Sequence, residues 1–393
     1  MDYLKLFQTH SEYEDFVSGG TMVKPNVSHC VSENEIHYNP IPYNYGNDYL
    51  TFVALEDGTF SFTPQNNNVI SYSTDGGETW IEGNSVEVND GDKVMWKGTL
   101  TANYGIGKFG STANFDIQGN IMSLLYGDNY KGQTDLTGKN YAFYDLLLSN
   151  SKLINAENLS LPATTLTDGC YTGMFQGCAN LITAPSILPA TTLGYGCYNQ
   201  MFRGCRKLTA APKLPCTTLV GESYWLMFSG CTSLTVAPEL PATTLTYGCY
   251  FGMFNGCTSL TTAPELPATT LGRRCYEKMF NGCTSLVNVP ELPATVLEES
   301  CYYGMFYYCT SLTTAPDLPA TTLAKSCYQS MFYGCANLNS ITCLATDISA
   351  SLCTSGWVTG VASSGTFTKA ASMSSWENGN NGIPANWTVQ DAS

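Results

Sequence analysis

The stretch LPATTLTYGCYFGMFNGCTSLTTAPE, residues 240–265, decides the architecture of this 393-residue chain. It is one of seven copies of a single phrase, offset by 26 residues, or by 27 at the first step. A short copy cannot bury its own apolar face, so self-similarity at this period predicts copies that stack on one another. Each copy opens on a proline: Pro162, Pro189, Pro215, Pro241, Pro267, Pro293 and Pro319.

Two elements are expected in each copy. In CYFGMFNGC the recurring residues fall at i, i+1, i+4, i+5 and i+8, which predicts one stripe of a short helix of about two turns. SLTTAPEL is rich in Thr and broken by Pro, which predicts a brief strand ending in a turn. Degenerate copies precede the seven, so the stack is predicted to cover residues 118–345.

The phrases MFxGCTSLTTAP and LPATTL resemble the BspA-like leucine-rich-repeat proteins, a family of surface-associated proteins. The resemblance implies an α+β fold class, with a leucine-rich-repeat solenoid of 26-residue repeats, each a short helix plus a short strand. It also implies adhesion or binding rather than catalysis. Residues 346–393 resemble the terminal segment often attached to such arrays and are predicted to cap the last repeat.

The front of the chain has a different pattern. Residues 46–117 hold short strand candidates separated by Asp-Gly turn signals, which predicts a small antiparallel β-sandwich or a jelly-roll-like domain. Residues 1–45 are predicted to form an N-terminal arm or anchor. Within it, MVKPNVSHCVSENEIHYNP (22–40) resembles N-terminal segments of virion-associated proteins of gut bacteriophages, which implies attachment to a larger assembly.

Charge and composition exclude several function classes. The chain has 17 basic and 32 acidic residues, a net charge of −15, which argues against nucleic acid or an anionic membrane as partner. No apolar run suggests membrane insertion, and no signal peptide is visible. His is confined to His10, His29 and His37, and Arg to four positions. We therefore predict no enzyme, no cofactor and no metal centre.

Positions that vary between copies are the candidate ligand contacts. Because the recurring residues must face the core, the variable columns are expected to face solvent, where aromatics suit glycan or protein contact. Drift of a solvent-facing surface is the alternative explanation. The candidate residues are Trp225, Phe251, Arg273, Arg274, Tyr303 and Tyr307.

A carboxylate follows four of the Ala-Pro or Val-Pro steps, at Glu239, Glu265, Glu291 and Asp317. On stacked copies these side chains would form a ladder that could hold a cation, or one that only improves solubility. Catalysis by neighbouring carboxylates is disfavoured, because a regular ladder gives every member the same environment and separates no pKa from the next.

Thirteen of the 17 cysteines fall in two columns of the repeat. Two cysteines within one copy are eight residues apart, too far to bridge along a helix, whereas adjacent copies are close enough. One column is interrupted by Ser223 and the total is odd. The pattern favours buried free thiols that act as small apolar fillers, with disulfides as the alternative.

The segment Ser73–Trp80 matches SxDxGxTW and resembles the Asp-box of sialidases, which implies a structural hairpin. The front domain has no arginine to bind a substrate carboxylate, so a sialidase site is not expected.

Taken together, these features predict non-catalytic recognition: the solenoid binds a host-surface or mucosal protein or glycan and is displayed on a phage particle. The alternatives are a bacterial cell-surface adhesin and a purely structural spacer or decoration protein of a virion. The expected location is the virion or the cell surface.

Overall fold

The computed structural model describes residues 48–102, 104–374 and 376–392, all of which belong to one compact unit. The predicted arm, residues 1–45, lies outside the described residues, as do all three histidines and Cys30.

The front of the described chain forms two antiparallel sheets. The larger has the order β8-β1-β6-β3-β4 and the smaller the order β5-β2-β7. The strands are β1 (Leu50–Ala54), β2 (Gly58–Pro64), β3 (Ile70–Ser73), β4 (Ile81–Glu82), β5 (Ser85–Val88), β6 (Lys93–Gly98), β7 (Gly107–Ser111) and β8 (Phe115–Asn120).

An aromatic core joins the two sheets. Phe52 of the larger sheet lies 5.4 Å from Phe60 and 4.8 Å from Phe109 of the smaller sheet, measured between ring centroids. Trp96 packs 5.2 Å from Phe109 in the same layer. These rings are buried, so the two sheets face each other across a hydrophobic interior, and the predicted antiparallel front is formed.

Strand β8 connects this front to the repeats. Its chain continues into a short helix α1 (Ser123–Tyr126) and a 3₁₀ turn (Gly127–Asn129). The same strand then pairs in parallel with β9 (Leu153–Asn155) and β10 (Leu159–Ser160). The outermost strand of the sandwich therefore serves as the first layer on which the repeats stack, and it spans the predicted boundary between residues 117 and 118.

The predicted helix of each repeat is not formed. In Gly248–Cys257 every second amide donates to the carbonyl three residues back, as Met253 N does to Tyr250 O at 3.2 Å. The intervening amides donate to the next repeat instead, as Gly252 N does to Glu277 O at 2.8 Å. The segment is thus a chain of β-turns that is hydrogen-bonded to the corresponding segment of the next repeat. We call these stretches the turn segments: 169–178, 196–205, 222–231, 248–257, 274–283, 300–309 and 326–335.

Left-handed residues explain why turns replace the helix. Gly248, Gly252 and Gly256 have φ values of 59°, 56° and 75°, and this spacing of four residues recurs in every turn segment. Such residues are strongly disfavoured inside an α-helix but fit the third position of a type II turn. The four-residue period therefore comes from successive turns rather than from helical rotation. Within the described residues helix is limited to α1 and the 3₁₀ turn, so the fold is β-rich, and α+β overstates its helix content.

Inside the stack, each turn segment buries residues in pairs. In the segment Gly248–Cys257 the buried pairs are Cys249 with Tyr250 and Met253 with Phe254, while the side chain of Phe251 between them points outward. The tyrosines at this position stack at centroid distances of 5.7 to 6.0 Å from Tyr171 to Tyr328. The recurring residues therefore face the core, as predicted.

Isolated parallel bridges join the other two sides of each repeat, for example Thr262 to Asn288 and Thr244 to Thr270. Strand character is thus shorter than expected until the end of the stack. There β11 (Ser340–Cys343), β12 (Thr366–Lys369) and β13 (Thr388–Asp391) form a parallel sheet. No helix in the described part of the chain is long and apolar enough to cross a membrane.

Candidate functional site

The outward residues of the turn segments form one continuous surface, which we call the turn face. Each turn segment contributes residues to it at a period of four, and the same position of successive repeats forms a column. The backbone beneath is fixed by hydrogen bonds within and between repeats, so side chains are held on a rigid scaffold.

Trp225 and Phe251 meet on the turn face. Their rings stack with a centroid distance of 3.8 Å and an interplanar angle of 8°. The structure thus brings these two candidate residues into direct contact. Each is half-buried, however, because one covers the other, so the pair is less exposed than the sequence suggests.

Arg274 completes this cluster. Its guanidinium carbon lies 5.5 Å from the ring centroid of Trp225 and 5.0 Å from that of Phe251, within the range of a cation–π contact. Two of its nitrogens donate to the Glu277 carboxylate at 2.7 and 3.3 Å, and a third donates to the Tyr247 hydroxyl at 3.1 Å. The hydrogen bonds that Arg274 donates to Glu277 raise the pKa of its guanidinium, so its charge is permanent.

Arg273 belongs to a different group. It forms an ion pair with Glu299 at 2.6 Å, and Lys325 pairs with the same carboxylate at 3.0 Å. The hydrogen bond from Lys325, with that from Arg273, holds the pKa of Glu299 below its usual range. Both cations are exposed, so this network is more accessible to solvent and to a ligand than the half-buried Arg274.

The other two predicted aromatics lie further along the stack. Tyr303 is covered by the Lys278 ammonium, which lies 5.3 Å from its ring centroid. Tyr307 stacks on Tyr333 at 4.7 Å, and Tyr308 meets both rings edge-on. The structure therefore divides the six predicted residues into four separate groups.

Sequence reasoning missed Tyr247 and Tyr308. Tyr247 lies just before the turn segment 248–257, and Tyr308 lies at a repeat position from which no candidate was taken. Tyr308 nevertheless carries a sequence signal, because glycine occupies its position in the other six turn segments.

The carboxylates Glu239, Glu265, Glu291 and Asp317 are all exposed. No group of three or more His, Cys, Asp or Glu side chains that could hold a metal ion occurs in residues 48–102, 104–374 and 376–392. An open cavity of about 590 Å³ lies between Glu291 and Asp317 and is lined by Pro290, Pro293 and Pro316. The ladder is thus a row of exposed charges without an assembled cation site.

The described cysteines are buried free thiols. One column donates its S–H groups to carbonyls of the preceding repeat, as Cys283 does to Phe254 O at 3.1 Å. Burial raises the pKa of these thiols, to about 12 for Cys283 and Cys335. They are therefore neutral fillers and poor nucleophiles, as the sequence pattern favoured.

The segment Ser73–Trp80 forms a self-contained hairpin. Asp75 accepts hydrogen bonds from the Thr79 hydroxyl at 2.5 Å, from the Thr79 amide at 2.9 Å and from the Ser73 hydroxyl at 2.7 Å, and these bonds lower the pKa of its carboxyl group. The Trp80 indole donates to Gly77 O at 3.1 Å, and Lys97 covers its ring. Its polar groups bond to one another, so the motif has a structural explanation and no site is assigned to it.

The turn face is therefore the candidate functional surface, with the Trp225–Phe251–Arg274 cluster as its most ordered feature. Comparison with protein-family models, curated proteins and solved structures finds no match to this chain, so the assignment rests on the geometry alone.

Proposed function

We propose that this protein is a non-catalytic recognition protein, whose leucine-rich-repeat solenoid of the BspA-like type binds a protein or glycan on a host or mucosal surface. Recognition takes place on the turn face. The N-terminal arm attaches the protein to a larger assembly, a phage particle, so that the solenoid is displayed on a virion.

One observation carries this proposal. On a surface where small and polar residues prevail, Trp225, Tyr247, Phe251 and Arg274 are brought together from three successive repeats. The recurring columns already supply the core, so packing inside the stack does not require these side chains. Aromatic rings beside an arginine are the composition most enriched in binding hot spots.

A binding assay with a matched control tests the recognition surface. We expect the W225A/F251A double variant to lose binding to mucin-coated surfaces or host cells, by about 1–3 kcal/mol for each anchor. Gln329→Ala, in the same column but outside the cluster, should bind like the parent protein. Equal binding by the parent protein, the double variant and Gln329→Ala would show that this cluster takes no part in recognition.

The carrier is tested separately. Immuno-electron microscopy of particles and cells distinguishes a phage protein from a bacterial cell-surface adhesin. Deleting residues 1–45 should leave the stack folded and release the protein from its carrier, since the sequence of the arm contains no copy of the repeat. Full retention of the truncated protein would show that the arm is not the anchor.

The alternative function is a structural spacer or decoration protein of a virion. It is favoured by one specific observation: the donors of Arg274 are already bonded to Glu277 and Tyr247 within the chain. A spacer would show no binding to host cells or mucin while its deletion changed particle dimensions or stability.

A further inference from the structure

A second aromatic group on the turn face is built differently from the Trp225–Phe251–Arg274 cluster. Tyr307 and Tyr333 stack with an interplanar angle of 7°. Tyr308 stands against them at 83° and 77°, with centroid distances of 4.7 and 5.7 Å. We call these three residues the tyrosine cluster: the two parallel rings form a wall and the third ring forms a floor.

The floor ring lies over the next repeat. A Cβ atom added at Gly334 would overlap the ring of Tyr308, so the ring packs closely above this glycine. The side chain nevertheless stays 47% exposed. The ring of Tyr308 therefore contacts Gly334 on one side, and part of it remains open to solvent beside the stacked rings of Tyr307 and Tyr333.

Tyr308 also adopts a backbone conformation that its position normally reserves for glycine. Its φ is 56°, and the equivalent residues Gly177, Gly204, Gly230, Gly256, Gly282 and Gly334 have φ values from 73° to 76°. A tyrosine is disfavoured there on conformational grounds, so folding of the stack does not account for its presence. Strained residues of this kind concentrate at binding sites.

The immediate surroundings are polar and uncharged. In the same columns the neighbouring repeats carry Asn281, Gly282, Gly334 and Thr359. Lys278, in the adjoining column, is engaged with the ring of Tyr303. Amide and hydroxyl groups around an open aromatic face suit a ligand that has an apolar ring face and many hydroxyls, and in the neighbouring repeats these two columns carry no charged side chain to pair with an ionic ligand.

We propose that the tyrosine cluster is a subsite for an uncharged saccharide. One sugar ring stacks on Tyr308, and the hydroxyls of the sugar point at the tyrosine hydroxyls and at Asn281. This inference rests on the proposed recognition function and narrows it to neutral glycans. It places a contact at Tyr308, a residue outside the six candidates predicted from the sequence.

The experiment measures binding of the full chain to an array of neutral oligosaccharides, with sialylated and sulfated counterparts on the same surface. The key variant is Tyr308→Gly, which removes the floor and restores the residue that this position favours. We expect at least a tenfold loss of neutral-glycan binding with an unchanged or raised melting temperature. Tyr104→Ala, an exposed stacked tyrosine outside the repeats, should keep full binding.

The other outcomes separate this inference from the proposed function. Undiminished neutral-glycan binding by Tyr308→Gly would overturn the subsite and leave recognition intact. Binding restricted to charged glycans, or to deglycosylated mucin, would overturn the neutral-saccharide assignment alone. Absence of binding to every glycan, to mucin and to host cells would contradict both.

Discussion

At the scale of single residues, the inside of the stack is lined by ionisable groups that must stay neutral. Burial raises the pKa of the thiols, to about 12 for Cys231, Cys283 and Cys301, from an ordinary value near 9.0. The stacked tyrosines are shifted in the same direction by the same cause. Neutral thiols and phenols are compatible with the core, and their anions are not.

Stability should therefore fall in alkali. Below about pH 9 the thiols are protonated in both states and the fold has its full stability. As the pH rises from about 9 towards 12, the unfolded chain loses protons that the folded chain retains, and the unfolding free energy decreases. Urea unfolding midpoints measured at pH 8, 9.5 and 10.5 should decline in that order, and a constant midpoint would contradict the buried thiol columns.

The two adjacent arginines provide a matched pair. Glu277 has a side chain only 8% exposed and depends on Arg274, so Arg274→Ala should cost about 1–3 kcal/mol by leaving that carboxylate without its bidentate partner. Arg273→Ala removes one exposed ion pair and should change stability by no more than about 0.5 kcal/mol. Chemical denaturation of both variants measures the difference, and equal effects would contradict the contrast in burial.

At the scale of elements, the sequence predicted the buried residues of each repeat correctly but predicted the wrong backbone conformation, a helix in place of successive turns. The spacing of Cys249, Tyr250, Met253, Phe254 and Cys257 fits a helical stripe, but it equally fits paired inward residues in a chain of four-residue turns. The distinguishing signal was glycine at every fourth position. In other repeats that signal is hidden, since Arg274, Lys278 and Ser300 occupy the same left-handed positions.

Gly256→Ala tests this turn geometry. An added Cβ would lie 3.8 Å from the nearest atoms of Gly230, so space is sufficient and the cost is conformational. Because φ is 75°, we expect a loss of about 1–2 kcal/mol in unfolding free energy. Asn255→Ala, one residue earlier at a φ that is not left-handed, is the control and should be nearly neutral. Similar melting temperatures for the two variants would contradict the turn assignment.

At the scale of the whole molecule, the 26-residue period and the stacking of the copies were predictable, because such a repeat can bury its apolar face only against a copy of itself. The two ends were harder to predict. Nothing in the sequence of β8 distinguishes a strand that pairs with both the sandwich and the repeats. The grouping of Arg274 with Glu277, and of Tyr308 with Tyr333, depended on the true turn geometry.

Removal of one whole repeat should be tolerated. Deleting residues 196–221 joins Tyr195 to Glu222 at equivalent positions, so every inward and outward side chain keeps its direction. Deleting residues 196–208 instead removes the turn segment 196–205 but keeps the rest of that repeat, so the neighbouring turn segments lose their hydrogen-bonded partner. We expect cooperative thermal unfolding for the first variant and aggregation or loss of the transition for the second. Folding of both would show that the stack does not depend on whole repeats.

The hydrogen bonds between repeats have a mechanical consequence. They join one repeat to the next, so a pulling force applied to the two ends of the stack is borne by each layer in series. When the weakest layer opens, it releases 26 residues, or about 90 Å of extended chain, and the tension drops before the next layer yields. The stack would therefore lengthen in steps under tension and dissipate the load, while the remaining layers stay intact. Single-molecule stretching should show a sawtooth with this spacing.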